Sequence, residues 1–165
     1  MTTSGLAPVH IRPIGPDDNN AVAEILRKVR AEHAMEERGA PLLEPNELDL
    51  YATSQRPGCG YWVADQGGEV VGGAGISPLG GVPDTCELQR MYLLARGRGI
   101  GLGRDLLRAC LAGARKRGYR DCYAETMDFM TAARRLYENA GFEPLDGPLG
   151  NTGHEFPSAW YLLRL

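Results

Sequence analysis

The sequence predicts an α/β domain with a mixed β-sheet between helical layers, an α+β-like three-layer arrangement in the order β-α-α-β-β-β-α-β-α-β-β. Two observations carry this. The early strand-like segments are joined by turns too short for a crossover, so they pair antiparallel. The later ones are separated by amphipathic helical segments long enough to return the chain to a parallel strand.

Each element has its own signal. His10 to Ile14 reads as a first strand closed by Pro13 and Gly15. Asp17 or Asp18 is a candidate N-cap, and Ala21, Ile25, Leu26 and Val29 follow at helical spacing, predicting a helix to about Met35. Gly39, Pro41 and Pro45 break the polar stretch from Glu36 to Pro45 into a loop, and Asn46 to Tyr51 starts a short helix ended by Arg56-Pro57-Gly58. Gly60 to Ala64 and Glu69 to Ser77 read as a hairpin around a tight turn at Asp65 to Gly68. After a loop from Pro78 to Asp84, Thr85 to Leu94 is a longer strand. Leu102 to Arg117 carries Leu106, Leu107, Cys110, Leu111 and Ala114 on one stripe, with Gly118 placed to end the helix. Tyr119 to Thr126 is the next strand. Ala132, Ala133, Leu136, Tyr137 and Ala140 mark a last helix stopped by Gly141. Phe142 to Leu145 and Ala159 to Leu165 read as two final strands, and the last of these is expected as an exposed edge able to pair in a homodimer.

With 165 residues, 43% hydrophobic and 24% charged, the chain is expected to form one domain over residues 1–165. A net charge of −3 speaks against a nucleic-acid binder. No stretch approaches 18 apolar residues, so no membrane span is expected, and Met1 to Pro8 lacks the apolar core of a signal peptide. Cys59, Cys86, Cys110 and Cys122 form no C-x-x-C pair, and His10, His33 and His154 are scattered. We expect no metal site, buried free thiols at Cys110 and Cys122, and a cytoplasmic location.

The main chemical signal is the run from Leu93 to Leu107, LLARGRGIGLGRDLL, which leaves a strand through a glycine-rich turn and enters a helix. The first N–H groups of a helix have no partner inside it and carry its partial positive charge. Glycines there remove the Cβ atoms that would hold a phosphate away, and Arg96 and Arg98 add cationic donors. The arrangement reads as a pyrophosphate cradle. Glycines at 97, 99, 101 and 103 give no G-x-G-x-x-G spacing, and no Gly-Lys pair followed by Ser or Thr makes a P-loop.

This stretch resembles the acetyl-coenzyme A-binding motif R/Q-x-x-G-x-G/A of the GNAT superfamily of N-acetyltransferases, with Arg96, Gly99 and Gly101 at its defined places. A second segment agrees: Ala133 and RLYENAGF, Arg135 to Phe142, resemble that superfamily's A-x-x-L-Y-x-x-x-G-F. The resemblance runs from IRPI at Ile11 to the last strand and is strongest from Glu87 to Phe142. CELQRMYLL and PLGNTGH resemble bacterial members in particular.

The resemblance implies acetyl-CoA as co-substrate and a small-molecule or peptide amine as acceptor. It also implies a splayed pair of parallel strands, Glu87–Leu94 and Tyr119–Thr126, with the pantetheine arm between them. Tyr92, Leu93, Leu94, Arg96, Gly97, Arg98, Gly99, Ile100, Gly101, Leu102 and Gly103 would hold the coenzyme. Many members carry an asparagine seven residues before the motif tyrosine; here that place is Met130. This departure is the one feature favouring a non-catalytic acyl-CoA-binding or sensor module over an enzyme.

An alkylammonium has a pKa near about 10.4, so transfer at neutral pH needs a base. Glu87, early in the strand leading to the glycine turn, is the first candidate, and Glu125, near the end of the neighbouring strand, is the second. Tyr137 is the candidate acid for the departing thiolate, and a backbone N–H between Tyr92 and Leu94 is the expected oxyanion donor. His154, in the loop GNTGH, is a candidate for the acceptor side. Trp62, Trp160 and Tyr161 are expected to serve the strand core.

Overall fold

Seven strands form one sheet in the order β1-β2-β3-β4-β5-β7-β6 in the computed structural model, which describes residues 7–165. The strands are β1 (Val9–Pro13), β2 (Gly60–Gln66), β3 (Glu69–Pro78), β4 (Thr85–Leu93), β5 (Asp121–Thr126), β6 (Glu143–Leu145) and β7 (Ala159–Arg164). The helices are α1 (Asn19–Glu32), α2 (Leu50–Ser54), α3 (Leu102–Lys116) and α4 (Thr131–Asn139). The leaderless start expected at Met1 to Pro8 lies largely outside the described residues. All neighbours pair antiparallel except β4 and β5. The element order is the expected one. Among the described residues no helix is long and apolar enough to cross a membrane.

The helices cover both faces. Val22 and Leu26 of α1 and Leu50 of α2 pack with Tyr61 and Val63 on one. Leu102, Leu106, Leu107, Cys110 and Leu111 of α3 pack on the other with Cys86, Cys122 and, from α4, Tyr137. Truncating one of these core leucines to alanine costs about 2–5 kcal/mol. All four cysteines are free and buried, Cys110 and Cys122 as the sequence implied.

Several boundaries move, each for a local reason. α1 stops at Glu32 rather than Met35, because Ala34 turns to φ 48° and the Met35 N–H reaches back to the Arg30 carbonyl. The helix expected at Asn46 to Tyr51 is two pieces: a 3-10 turn at Pro45–Leu48, then α2, whose N-cap Asp49 accepts from the Ala52 N–H. β5 begins at Asp121 because the Tyr119 N–H returns to the Ala114 carbonyl at the end of α3. The hairpin turn is only Gly67-Gly68, both at positive φ, as a two-residue turn requires. The largest correction concerns β7. It lies between β5 and β6, paired on both sides, so it is not an exposed edge for a partner.

One irregularity shapes the centre of the sheet. Gly75 pairs with Gln89 and Gly73 with Tyr92, so Ala74 alone faces both Arg90 and Met91. This is a β-bulge, and Arg90 adopts φ 51° within it. Tyr61 holds it in place. Its ring lies across Gly73 and Gly75, where an added Cβ would come within 2.5 Å of ring carbons, and its hydroxyl donates to the Arg90 carbonyl at 2.9 Å. β4 has already left β5 when it reaches the bulge: their pairing is confined to Thr85 with Asp121, Cys86 with Cys122 and Glu87 with Tyr123.

The ring and the glycine act as one device. We expect Gly73→Ala to displace Tyr61 and cost about 1–3 kcal/mol, as overpacking does. Tyr61→Phe, which orphans the Arg90 carbonyl, costs about 1–3 kcal/mol. The double variant should lose clearly less than the sum, because the first change already breaks the second contact. Urea unfolding of the four proteins tests this, and strict additivity would show that the ring does not pin the bulge.

Candidate active site

The fork between β4 and β5 opens into a cavity of about 590 Å³. Five of the sequence candidates meet there: Glu87 and Tyr92 from β4, Glu125 from β5, Tyr137 from α4 and His154 from the β6–β7 connection. Strand geometry explains the first contacts. Glu87 and Tyr123 are register partners, and Glu125 follows Tyr123 by two, so their side chains share one face.

His154 Nδ1 lies 2.6 Å from Glu125 Oε1 and 3.6 Å from Glu87 Oε1. The Tyr123 hydroxyl donates to Glu125 Oε2 at 2.9 Å, and the Gln89 side-chain amide donates to Glu87 Oε2 at 3.2 Å. Glu87 is 4% exposed. Burial pushes its carboxyl up to about 7; the Gln89 hydrogen bond opposes this, the Glu125 charge adds to it, and His154 and Arg90 pull it down. His154 is held above its ordinary value by its hydrogen bond to Glu125 and by both carboxylates, against the loss of solvent. Arg90, on the bulge, is engaged by Glu47 at 2.9 Å.

Tyr137 packs its ring against Phe142 and Tyr161, with centroids 5.5 and 5.8 Å away, and lines the cavity. Among the described residues no buried side-chain polar atom lacks a partner and the Tyr137 hydroxyl has no hydrogen-bond partner, so it opens to the cavity. Burial raises its pKa, which keeps the phenol protonated. Met130 stands at the N-cap of α4 without capping it and lines the same cavity.

The glycine turn lies outside the cavity. Gly101 is the N-cap of α3 at φ 88°, and no side chain caps the helix start. A Cβ at Gly99 would meet nothing within 4 Å, so that backbone is open to approach. Gly97 is buried against Leu93, Leu102 and Val71, and Gly103 faces Leu136 and Leu93, so these two serve packing. The Leu102 side chain is in the core and only its backbone belongs to the turn, while Ile100 stands exposed. Arg96 reaches Glu69 at 2.7 Å; Arg98 reaches Glu32 at 2.6 Å and the Leu93 carbonyl at 3.0 Å. These exposed ion pairs are weak and exchangeable for a phosphate. Open glycine backbone, an uncapped 15-residue helix and two arginines fit the pyrophosphate of coenzyme A.

The expected oxyanion donor narrows. The Leu94 N–H is committed to the Val71 carbonyl at 2.9 Å, which removes it. Strand alternation turns the neighbouring Leu93 amide away from β3, toward the fork, consistent with its carbonyl meeting Arg98. Sequence reasoning missed the far wall of the cavity, Arg30, Met35, Leu42, Leu43 and Phe156, all from loops or helix ends with no periodic signal.

Residues 24–142 match the acetyltransferase (GNAT) family. The chain is 44% identical over 146 residues to the uncharacterized N-acetyltransferase YjgM of Escherichia coli K12, covering 87% of each. The fold is that of a GNAT-family acetyltransferase from Staphylococcus aureus Mu50, with TM-score 0.80, 17% identity and 95% and 99% of the two chains covered. It is shared with YncA, a putative acetyltransferase of Salmonella typhimurium solved with acetyl-CoA, at TM-score 0.73, 24% identity and 96% and 94% coverage. The chain belongs to the GNAT family and is an acetyl-CoA-dependent acyltransferase.

Glu87 ties this site to stability. Its carboxyl ionises near 4.5 when unfolded and near 7 when folded. Between those values the folded protein holds a proton that the unfolded chain has released, so stability falls as pH rises through that window. The full effect is about 3 kcal/mol at pH 8, at about 1.4 kcal/mol per unit. We expect Glu87→Gln to remove this loss and to melt higher than the parent at pH 8 but not at pH 4. Thermal melts that keep the same difference at both pH values would contradict it.

Proposed function

We propose that the chain, acting as one unit in the cytoplasm, transfers the acetyl group of acetyl-CoA to a primary amine of a small molecule or peptide, by direct attack in a ternary complex. One observation carries the reading: a buried carboxyl poised near neutrality and an unpartnered tyrosine hydroxyl open on the same cavity, at the fork of β4 and β5. The four buried free thiols suit a reducing compartment.

The roles follow from the chemistry of each group. Glu87 accepts the ammonium proton, because a carboxyl near 7 is ionised in about half the molecules at neutral pH and is basic enough to hold the proton it takes. His154, braced by Glu125 and Tyr123, sits beside it and relays that proton to solvent, since its side chain is about half exposed. Tyr137 holds a proton for the sulfur that leaves. The Leu93 N–H is the donor for the carbonyl oxygen. Arg96, Arg98 and the backbone from Gly99 to Gly103 bind the pyrophosphate. A convergent base and acid are what a sensor module does not need, so Met130 alone does not favour that alternative.

Two measurements test the reading. Gly101→Glu puts a charged side chain where φ is positive and the phosphates would lie, so calorimetry should show acetyl-CoA binding abolished in a folded protein. Unchanged affinity would sink the cradle. The rate with an amine acceptor should rise with pH through about 7 as Glu87 loses its proton. Glu87→Gln should lower the rate near pH 7 and replace the inflection there with a rise that continues toward the amine's own pKa of about 10.4, and Tyr137→Phe should keep the inflection while lowering kcat by about 10²–10⁴. An inflection near 7 that persists in Glu87→Gln would move the base to His154 or Glu125.

A further inference from the structure

We infer that the amine acceptor carries a flexible, apolar body with a single ammonium group, an assignment that rests on the acetyl transfer proposed above. The charges of the cavity set one end. Arg30 is held by Glu36 at 2.9 Å and by the Pro41 carbonyl, and Arg90 is neutralised by Glu47. The cavity carboxylates without an arginine partner are Glu87 and Glu125, which share His154, and Glu155, which is exposed. The interior therefore offers one cationic seat, next to the proposed base.

The remaining wall is apolar in a distinctive way. The sequence has five methionines, and every one after the first residue, Met35, Met91, Met127 and Met130, lines this cavity. Leu43 and Phe156 complete it from two separate loops. Those loops meet over the space: a Cβ at Gly39 would lie 3.9 Å from the Phe156 ring. Methionine is unbranched and polarizable, and adapts to irregular partners without a fixed shape. Such a wall stabilises hydrocarbon in proportion to its length and tolerates varied outlines. A second ammonium placed against it would be stripped of water with no anion to meet it. The site thus selects for apolar carbon beyond the amine and against polyamines.

The test is a homologous series. With saturating acetyl-CoA, thiol release is followed with ethylamine, butylamine and hexylamine, and with 1,6-diaminohexane as the doubly charged match of hexylamine. We expect kcat/KM to climb about fourfold per methylene, which is the 0.8 kcal/mol of a buried CH₂ expressed as a rate. The diamine should fall at least tenfold below hexylamine. Met127→Gln, confirmed as folded by its acetyl-CoA affinity, should harm hexylamine at least fivefold more than ethylamine. A flat series, or a preference for the diamine, with turnover present overturns the apolar acceptor and leaves acetyl transfer standing. Coenzyme binding without turnover of any amine overturns both.

Discussion

Everything at this site depends on two parallel strands that pair for three residues and then part. Glu87 and Tyr123 are the last pair. A continued ladder would close the fork, and the space bordered by Glu87, Glu125 and Tyr137 would not exist. Parallel strands do not separate spontaneously in the middle of a sheet, because each lost ladder bond leaves polar backbone to be satisfied. The bulge at Arg90, three residues past that last pair, keeps the strands apart: it inserts one extra residue, bends β4, and is held by the Tyr61 hydroxyl. A run of glycines in β3 therefore shapes the reaction space from a distance, by letting that ring lie flat.

The opening also sets the electrostatics. A carboxyl at the inner end of a narrow fork loses water and shifts toward neutrality. Glu125, two residues past the last paired position on β5, is anchored by Tyr123 and holds His154. The two acids are equally buried, each side chain 6% exposed, and differ in their partners: among the described residues Glu125 is bonded to Tyr123 and His154, Glu87 only to Gln89. The pyrophosphate cradle proposed for the coenzyme lies elsewhere, at the start of α3, outside the cavity.

Much of this was legible in the sequence, where local rules dominate. Gly118 and Gly141 both take the left-handed conformation that their places after helices implied. The stripe on α3 is the buried one. Glu87, Glu125, Tyr137 and His154 converge, with His154 Nδ1 within 3.6 Å of both carboxylates. What stayed hidden is non-local. Nothing near Arg90 announces a bulge, since its cause lies in Tyr61 and in glycines one strand away. The place of β7 between β5 and β6 is decided by sheet-wide pairing and invisible in Ala159 to Leu165 alone. α1 ends at an alanine with positive φ, where residue type predicts continuation.

That place of β7 bears on how the protein fails. Any chain cut before Ala159 leaves β5 with a bare edge on one side and the fork on the other. A strand so exposed, carrying Cys122, Tyr123 and Ala124, is a template for pairing with other molecules. Truncation products would be sticky fragments and not merely slow catalysts. During synthesis the same edge waits for residues 159–164, which makes the late chain the moment when chaperones and proteases have most to decide.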